Sequence, residues 1–309
     1  MNSLRSPASA NSLFSFRPTR GLISRAGIIP ISYTQDAVGA IARNVKDLAV
    51  ALTVMASVGY DPSDNTTALI PSLSVGVNYL ETVYGGSLQG LRFGLLQGFF
   101  NRTASNETTP VITVMDEMAS LLESAGATVV SVIETVYNAT AIASLDVQTF
   151  EYREHMDPYL QMSSDSGTRP STLTELYSNG KFLVIPSQYN FVNTAFKSST
   201  SNATHPTLKL GIQNLTTVLR TTFSANDLDA VIYPEQKNLV VKIGSPSQSG
   251  RNGILAAMTG FPVVTVPAGS HRRPMMLPLE SRLGWRFLAC PGVRASSLIL
   301  LRIFRIADM

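Results

Sequence analysis

Cysteine, histidine and tryptophan are almost missing from this chain: one, three and one among 309 residues. The lone Cys290 cannot close an internal disulfide, and no cysteine or histidine pair has the spacing of a zinc site, so no metal is expected. The histidines His155, His205 and His271 lie far apart and outside any H-x-x-x-H pattern, and each reads as a surface or capping residue rather than a base or ligand. Charge is sparse too. Charged residues make up 15% of the chain and the formal net charge is +3, which gives no sign of a nucleic-acid partner. No apolar run approaches the roughly 18 residues that a membrane helix needs. The first dozen residues lack the basic start, apolar block and small-residue cleavage site of a secretory leader. Phosphate-binding Gly-rich loops, the H-E-x-x-H zinc motif and the G-x-S-x-G elbow are all missing, so nucleotide, zinc-protease and α/β-hydrolase chemistry lose their main support.

What remains is a chain with 44% hydrophobic residues, long enough for one large domain or two smaller ones with a substantial core. Six N-x-S/T triplets begin at Asn65, Asn101, Asn106, Asn138, Asn202 and Asn214. With almost no cysteine, they fit a glycosylated protein of the secretory pathway or extracellular space, stabilised by its core. A Ser/Thr-rich cytosolic protein is the other reading. On the first, a signal peptide is missing from this chain.

Residues 17–43 are rich in Gly, Pro and Arg and read as a buried, irregular segment. After them, Asn44 caps an amphipathic helix with Val45, Leu48, Ala49, Leu52 and Met55 on one face, and Gly59 stops it. Residues 91–100 suit a buried strand. The stretch 109–133 reads as a helix capped by Thr109, with Pro110 in its first turn, then Gly126 and a strand. The expected helix face is Val114, Met115, Met118, Leu121 and Leu122. Strand, helix and strand imply a parallel βαβ unit. Residues 138–225 are mainly helical, and 228–234 form another buried strand. Over 251–269 the pattern predicts an Asn252 cap, a short helix, Gly260 as its stop, and a strand Val263–Val266 closed by Pro267. Such alternation indicates α/β layering.

Composition changes after residue 270. From His271 to Met309 there is no Lys, Thr, Asn, Gln or Tyr, while seven Arg and the only Trp and Cys occur. Two readings are open: a basic C-terminal helix over 296–306, or a change of reading frame or exon near Ser270. The division expected is a domain over 1–270 and a divergent Arg-rich tail over 271–309.

The stretch "NSLRSPASANSLFSFRPTRGLISRAGIIPISYTQDAVGAIARNVKDLAVAL" resembles the second half of the amidase signature motif. Ser3, Leu4, Arg5, Pro7 and Ala8 match its G-G-S-I-R-x-P-A block, with Ser3 on the nucleophile. Pro18, Thr19 and Gly21 match the next block, Ser24, Gly27 and Pro30 the third, and Asp36, Gly39, Arg43, Val45 and Asp47 the fourth. Residues 91–100, 227–234 and 252–269 are similar to later strands of that family.

The resemblance implies a mixed β-sheet sandwiched by helices, an α/β fold N-terminally truncated in this chain. It also implies hydrolysis of a small-molecule amide by a Ser–Ser–Lys triad, without metal or cofactor. Ser3 would attack, the backbone N–H groups of Asn2 and Ser3 would form the oxyanion hole, and Arg5 and Asp36 would pair to support the nucleophile loop. Gln35 would either contact a substrate amide or face solvent. The triad lysine, in a P-x-x-x-K context, and the bridging serine of G-G-S-S-G-G precede the nucleophile in the family and do not occur here. Little or no activity is therefore expected of residues 1–309 alone. A non-catalytic secreted glycoprotein is the alternative, and a component of the tRNA-dependent amidotransferase shares the motif. Oligomeric state cannot be read.

Overall fold

The computed structural model describes residues 3–71, 74–83, 87–162, 169–178, 184–245, 248, 250–272 and 280–289. The expected helix over 296–306 and the residue Asn2 lie outside them. In chain order the elements are α1 (Arg5–Ala10), β1 (Phe14–Arg17), β2 (Ala40–Ala42), α2 (Val45–Met55), α3 (Tyr79–Val83), β3 (Arg92–Leu96), α4 (Thr109–Ser124) and β4 (Thr128–Val132). They continue as α5 (Ala139–Ala143), α6 (Gln148–Gln161), α7 (Leu173–Ser178), α8 (Tyr189–Lys197), α9 (Thr204–Ala225), β5 (Ala230–Pro234), α10 (Leu255–Thr259), β6 (Val263–Arg272) and β7 (Glu280–Ala289).

The strands form one sheet in the order β2-β1-β6-β7-β5-β3-β4. β3 runs parallel to both β4 and β5, whereas β1–β2, β1–β6, β5–β7 and β6–β7 pair antiparallel. The parallel β3–α4–β4 unit follows the expected order. Successive residues of a strand face opposite sides of a sheet, and this pleat divides the core in two. Ala230 and Ile232 of β5 join Phe93, Leu48 and Met115 on the face covered by α2 and α4. Val231 and Tyr233 join Leu219, Phe223, Ile142 and Leu255 on the face covered by α5, α9 and α10. The sheet is thus mixed and covered by helices on both faces.

Local chemistry explains several helix ends. Asn44 caps α2, its side chain accepting from the Asp47 amide, which satisfies an N–H that has no partner inside the helix. Gly260 ends α10 at φ 74°, a left-handed conformation that costs glycine least.

Other ends differ from the expectations. Helix α2 stops at Met55, four residues before Gly59. Thr108, not Thr109, precedes α4, and its hydroxyl donates to the Thr103 carbonyl instead of capping. The buried face of α4 is Val111, Met115, Met118 and Leu122, while Leu121 is 53% exposed. Asn252 does not cap α10. Its amide donates to the Phe99 and Pro234 carbonyls at 2.7 and 2.9 Å, tying the segments at the ends of β3 and β5. Strand β6 passes Pro267 through a register shift and continues to Arg272, because a proline at an irregular position interrupts the ladder without ending it. Residues 17–43 are largely irregular but not buried throughout. Leu22 and Ile23 are inside, whereas Ile28 and Ile29 are 53% and 59% exposed.

Candidate active site

Ser3 lies in a turn immediately before α1 and is exposed. The helix that follows, R-S-P-A-S-A, has weak intrinsic propensity and no side-chain cap. Pro7 is tolerated in the first turn, where N–H groups have no helical partner. Burial supplies the rest. Arg5, Ser6, Ala8 and Ser9 are inside, and α1 packs against β1, β6 and β7. Ser3 therefore stands at the head of a helix seated on the sheet.

The loop that follows β1 is fastened next to it. A Cβ on Gly39 would lie 2.0 Å from the Phe16 carbonyl oxygen and 3.0 Å from Leu4 Cδ1, so only glycine lets this segment approach both β1 and the residue after Ser3.

Arg5 and Asp36 do not form the expected pair. Arg5 is fully buried and Nη2 donates to the Gly253 carbonyl. Asp36 Oδ2 instead accepts the amides of Ile31 and Ser32 at 2.8 and 2.9 Å, closing its own loop. Burial draws the Arg5 guanidinium down to about 10. Arg17 is likewise held well below its ordinary range, through burial first and then the nearby charges of Arg5 and Arg20. Arg17 donates to the Gln35 carbonyl at 3.1 Å, and Arg20 to the Met258 carbonyl at 3.4 Å. Three arginines of the matched segment thus hold backbone carbonyls of the 32–36 loop and of the turn around α10. Gln35 is buried rather than solvent-facing, with Nε2 donating to Met258 Sδ at 2.8 Å. Its Oε1 is buried with no hydrogen-bond partner among the described residues.

Sequence reasoning missed the other side of this loop. Glu151 of α6 is buried against it. Its carboxylate accepts the Ser32 hydroxyl at 2.5 Å, and the amide and hydroxyl of Thr34 at 3.0 and 2.5 Å. His205 of α9 approaches the same carboxylate at 3.2 Å, and Lys209 donates to the Thr34 hydroxyl at 3.2 Å. Burial alone would raise the Glu151 pKa, but the bonds from Ser32 and Thr34 outweigh it and leave it lowered. His205, expected as a surface or capping residue, is a partly buried partner of this carboxylate. The separation of 117 residues between Thr34 and Glu151 leaves no local signal for this contact.

A cleft of about 360 Å³ opens over the same loop, lined by residues 25–31, 33, 36–38, 63–64, 155, 158–159 and 162. Arg25 forks onto Asp64, with Nε and Nη2 at 2.8 and 2.7 Å from the two carboxylate oxygens, a strong bidentate geometry. Its Nη1 donates to the Tyr33 carbonyl at 2.7 Å, and its guanidinium lies 4.7 Å from the Tyr33 ring centre. Tyr33 stacks on His155 with ring centres 5.5 Å apart. No group of three or more His, Cys, Asp or Glu able to hold a metal occurs among the described residues, nor does any helix there have the length and apolarity to cross a membrane.

Over residues 2–283 the chain matches the family described as Amidase. It is 26% identical over 273 residues to the probable amidase of Arabidopsis thaliana, covering 86% of this chain and 48% of that protein. With a glutamyl-tRNA(Gln) amidotransferase component of Bradyrhizobium diazoefficiens it shares 26% over 289 residues, or 90% of this chain and 57% of the relative. The native peptide amidase from Stenotrophomonas maltophilia superposes with a TM-score of 0.79 over 99% of this chain and 60% of that one, at 24% identity, a likeness of fold. The chain spans about half the length of the curated relatives it matches. With nearly its whole length matched, this chain belongs to the amidase signature family.

Proposed function

We propose that this chain carries the nucleophile half of a Ser–Ser–Lys amide hydrolase acting on a small-molecule amide, without metal or cofactor. Ser3 Oγ attacks the amide carbonyl, the tetrahedral intermediate collapses with loss of ammonia or an amine, and water releases the acid from the acyl-serine. A serine hydroxyl attacks only when a base removes its proton. The lysine and bridging serine that do so in the family do not occur in these 309 residues. The amides of Asn2 and Ser3 are assigned to the oxyanion, where one donor is worth about 2.7–4 kcal/mol in comparable sites. Gln35 Oε1, with no hydrogen-bond partner among the described residues, is the acceptor assigned to a substrate N–H. Arg5, charged and buried two residues after Ser3, supplies a fixed positive field close to the developing negative charge.

The observation that carries this reading is the ordered match of residues 3–47 to the signature blocks, on a fold that seats Ser3 at the head of α1. The experiment is hydrolysis of an aryl amide by purified 1–309, alone and co-expressed with the lysine- and serine-bearing segment of a relative. Alone it shows little or no turnover. With the segment it turns over, and Ser3→Ala abolishes this. Turnover indifferent to Ser3→Ala refutes the proposal.

The second reading, a non-catalytic secreted glycoprotein, is favoured by the sequons: Asn65, Asn101, Asn106, Asn138, Asn202 and Asn214 are all exposed. Glycosylation and hydrolysis are compatible, and the secretory reading is kept for both.

A further inference from the structure

We infer that Glu151 of α6 is a positioning residue for amide cleavage: through the Ser32 hydroxyl it sets the backbone of Gln35, and with it the side-chain oxygen that receives the substrate N–H. The inference rests on the amide-hydrolase reading and adds a residue that acts on the scissile amide without touching it.

The relay is short. Glu151 Oε2 accepts the Ser32 hydroxyl at 2.5 Å, and the Ser32 oxygen in turn accepts the Gln35 amide at 3.1 Å. That amide is shared with the Ser32 carbonyl at 3.2 Å. With its one proton given to Glu151, the Ser32 hydroxyl can only accept from Gln35. The carboxylate thus fixes which way the serine turns. Immediately before Gln35, Thr34 gives Glu151 both its amide and its hydroxyl, at 3.0 and 2.5 Å. The Gln35 carbonyl is held by Arg17 at 3.1 Å, and its Nε2 donates to Met258 Sδ at 2.8 Å. Only Oε1 of Gln35 is then buried with no partner among the described residues. A buried carbonyl without a donor is costly, so a loop that holds one in place marks it for a donor that arrives with a ligand.

The groups facing Glu151 explain why a carboxylate stands there. The Ser32 hydroxyl and both Thr34 groups are donors, and an ionised carboxylate is an acceptor for all three. At 3% exposure the charge carries a desolvation cost that a packed apolar side chain would avoid. What the charge adds is one fixed geometry for residues 32–35. The same segment reaches the nucleophile, because Gly39 closes on Leu4, the neighbour of Ser3. It therefore carries the amide acceptor near one end and meets the serine turn at the other.

The test compares para-nitroacetanilide with para-nitrophenyl acetate, turned over by 1–309 co-expressed with the lysine- and serine-bearing segment. The two share acyl group and ring, and only the anilide has an N–H for Gln35. Glu151→Gln should lower kcat/KM for the anilide by about tenfold and for the ester by less than about threefold. A simple loss of folded protein lowers both equally and leaves their ratio alone. Gln35→Ala should remove the anilide preference, and adding Glu151→Gln to it should change the ratio no further. Ser32→Ala, which breaks the relay and keeps the carboxylate, shifts the ratio the same way and serves should the first variant not fold. Equal losses on both substrates, an unchanged ratio in a folded variant, or a further shift in the Gln35→Ala background overturns the positioning role, while Ser3-dependent turnover keeps the hydrolase. Where no Ser3-dependent turnover occurs, the hydrolase reading falls, and calorimetric binding of acetanilide and phenyl acetate to purified 1–309 decides the relay by itself. Tighter anilide binding that Glu151→Gln abolishes keeps it. Equal or undetectable binding, or a preference that the variant retains, removes it.

Discussion

Replacing Glu151 with Gln tests whether a single buried carboxylate organises the signature loop. The wild-type carboxylate accepts the Ser32 hydroxyl and the amide and hydroxyl of Thr34, and faces His205. Glutamine keeps the shape and one acceptor oxygen, but turns an NH₂ toward groups that are themselves donors. Hydrogen bonds to a charged acceptor are worth about 1.5–3 kcal/mol each, and some are retained, so the expected loss at pH 7 is about 2–4 kcal/mol. With a urea slope of roughly 2–3 kcal/mol per molar, the midpoint should fall by about 1 M. The pH dependence has a definite sign. The folded pKa of Glu151 is lowered, below an unfolded value near about 4.3. The stabilisation is therefore complete above that unfolded value and is lost as pH falls through the folded one. Urea denaturation of wild type and Glu151→Gln from pH 7 towards pH 3 should show the gap narrowing at the acid end. A gap below about 0.5 kcal/mol at pH 7, or one that widens on acidification, refutes the reasoning.

Gly39→Ala places a methyl group 2.0 Å from the Phe16 carbonyl oxygen. Backbone must move, so soluble yield and urea midpoint should both drop sharply, and a wild-type midpoint would refute the packing argument. Leu219→Ala, fully buried under the sheet, should cost about 2–5 kcal/mol in chemical denaturation. Expression through a secretory host should give a glycosidase-sensitive mass shift that diminishes with Asn101→Gln, an exposed acceptor. No shift would remove the secretory reading.

The parts of the fold legible in the sequence were those with local causes. Asn44 announces α2 because a cap needs only residues three apart, and the parallel unit around α4 follows from its strand–helix–strand order. Gly260 stops α10 because few other residues accept its conformation. Reading failed where distant partners decide. Asn252 looks like a cap, yet its amide serves carbonyls at positions 99 and 234. Pro267 looks terminal, yet β6 continues because β7 pairs beyond it. Ile28 and Ile29 look like core, but they border a cleft. For the site, the signature residues could be read in order, whereas Glu151 and His205 come from elements far along the chain and Asp64 reaches Arg25 across 39 residues with no local pattern to announce it.

Strands β4 and β5 both flank β3, yet the chain leaves the sheet at Val132 and returns only at Ala230, through the helices α5 to α9. The entropy of closing an excursion rises only with the logarithm of its length, about 0.6 kcal/mol for each doubling. Insertions in the loops of this arc that spare the α5 and α9 faces and the Glu151 contacts of α6 should thus be thermodynamically cheap. The loops joining these helices can therefore change length while the sheet and the serine turn keep their places.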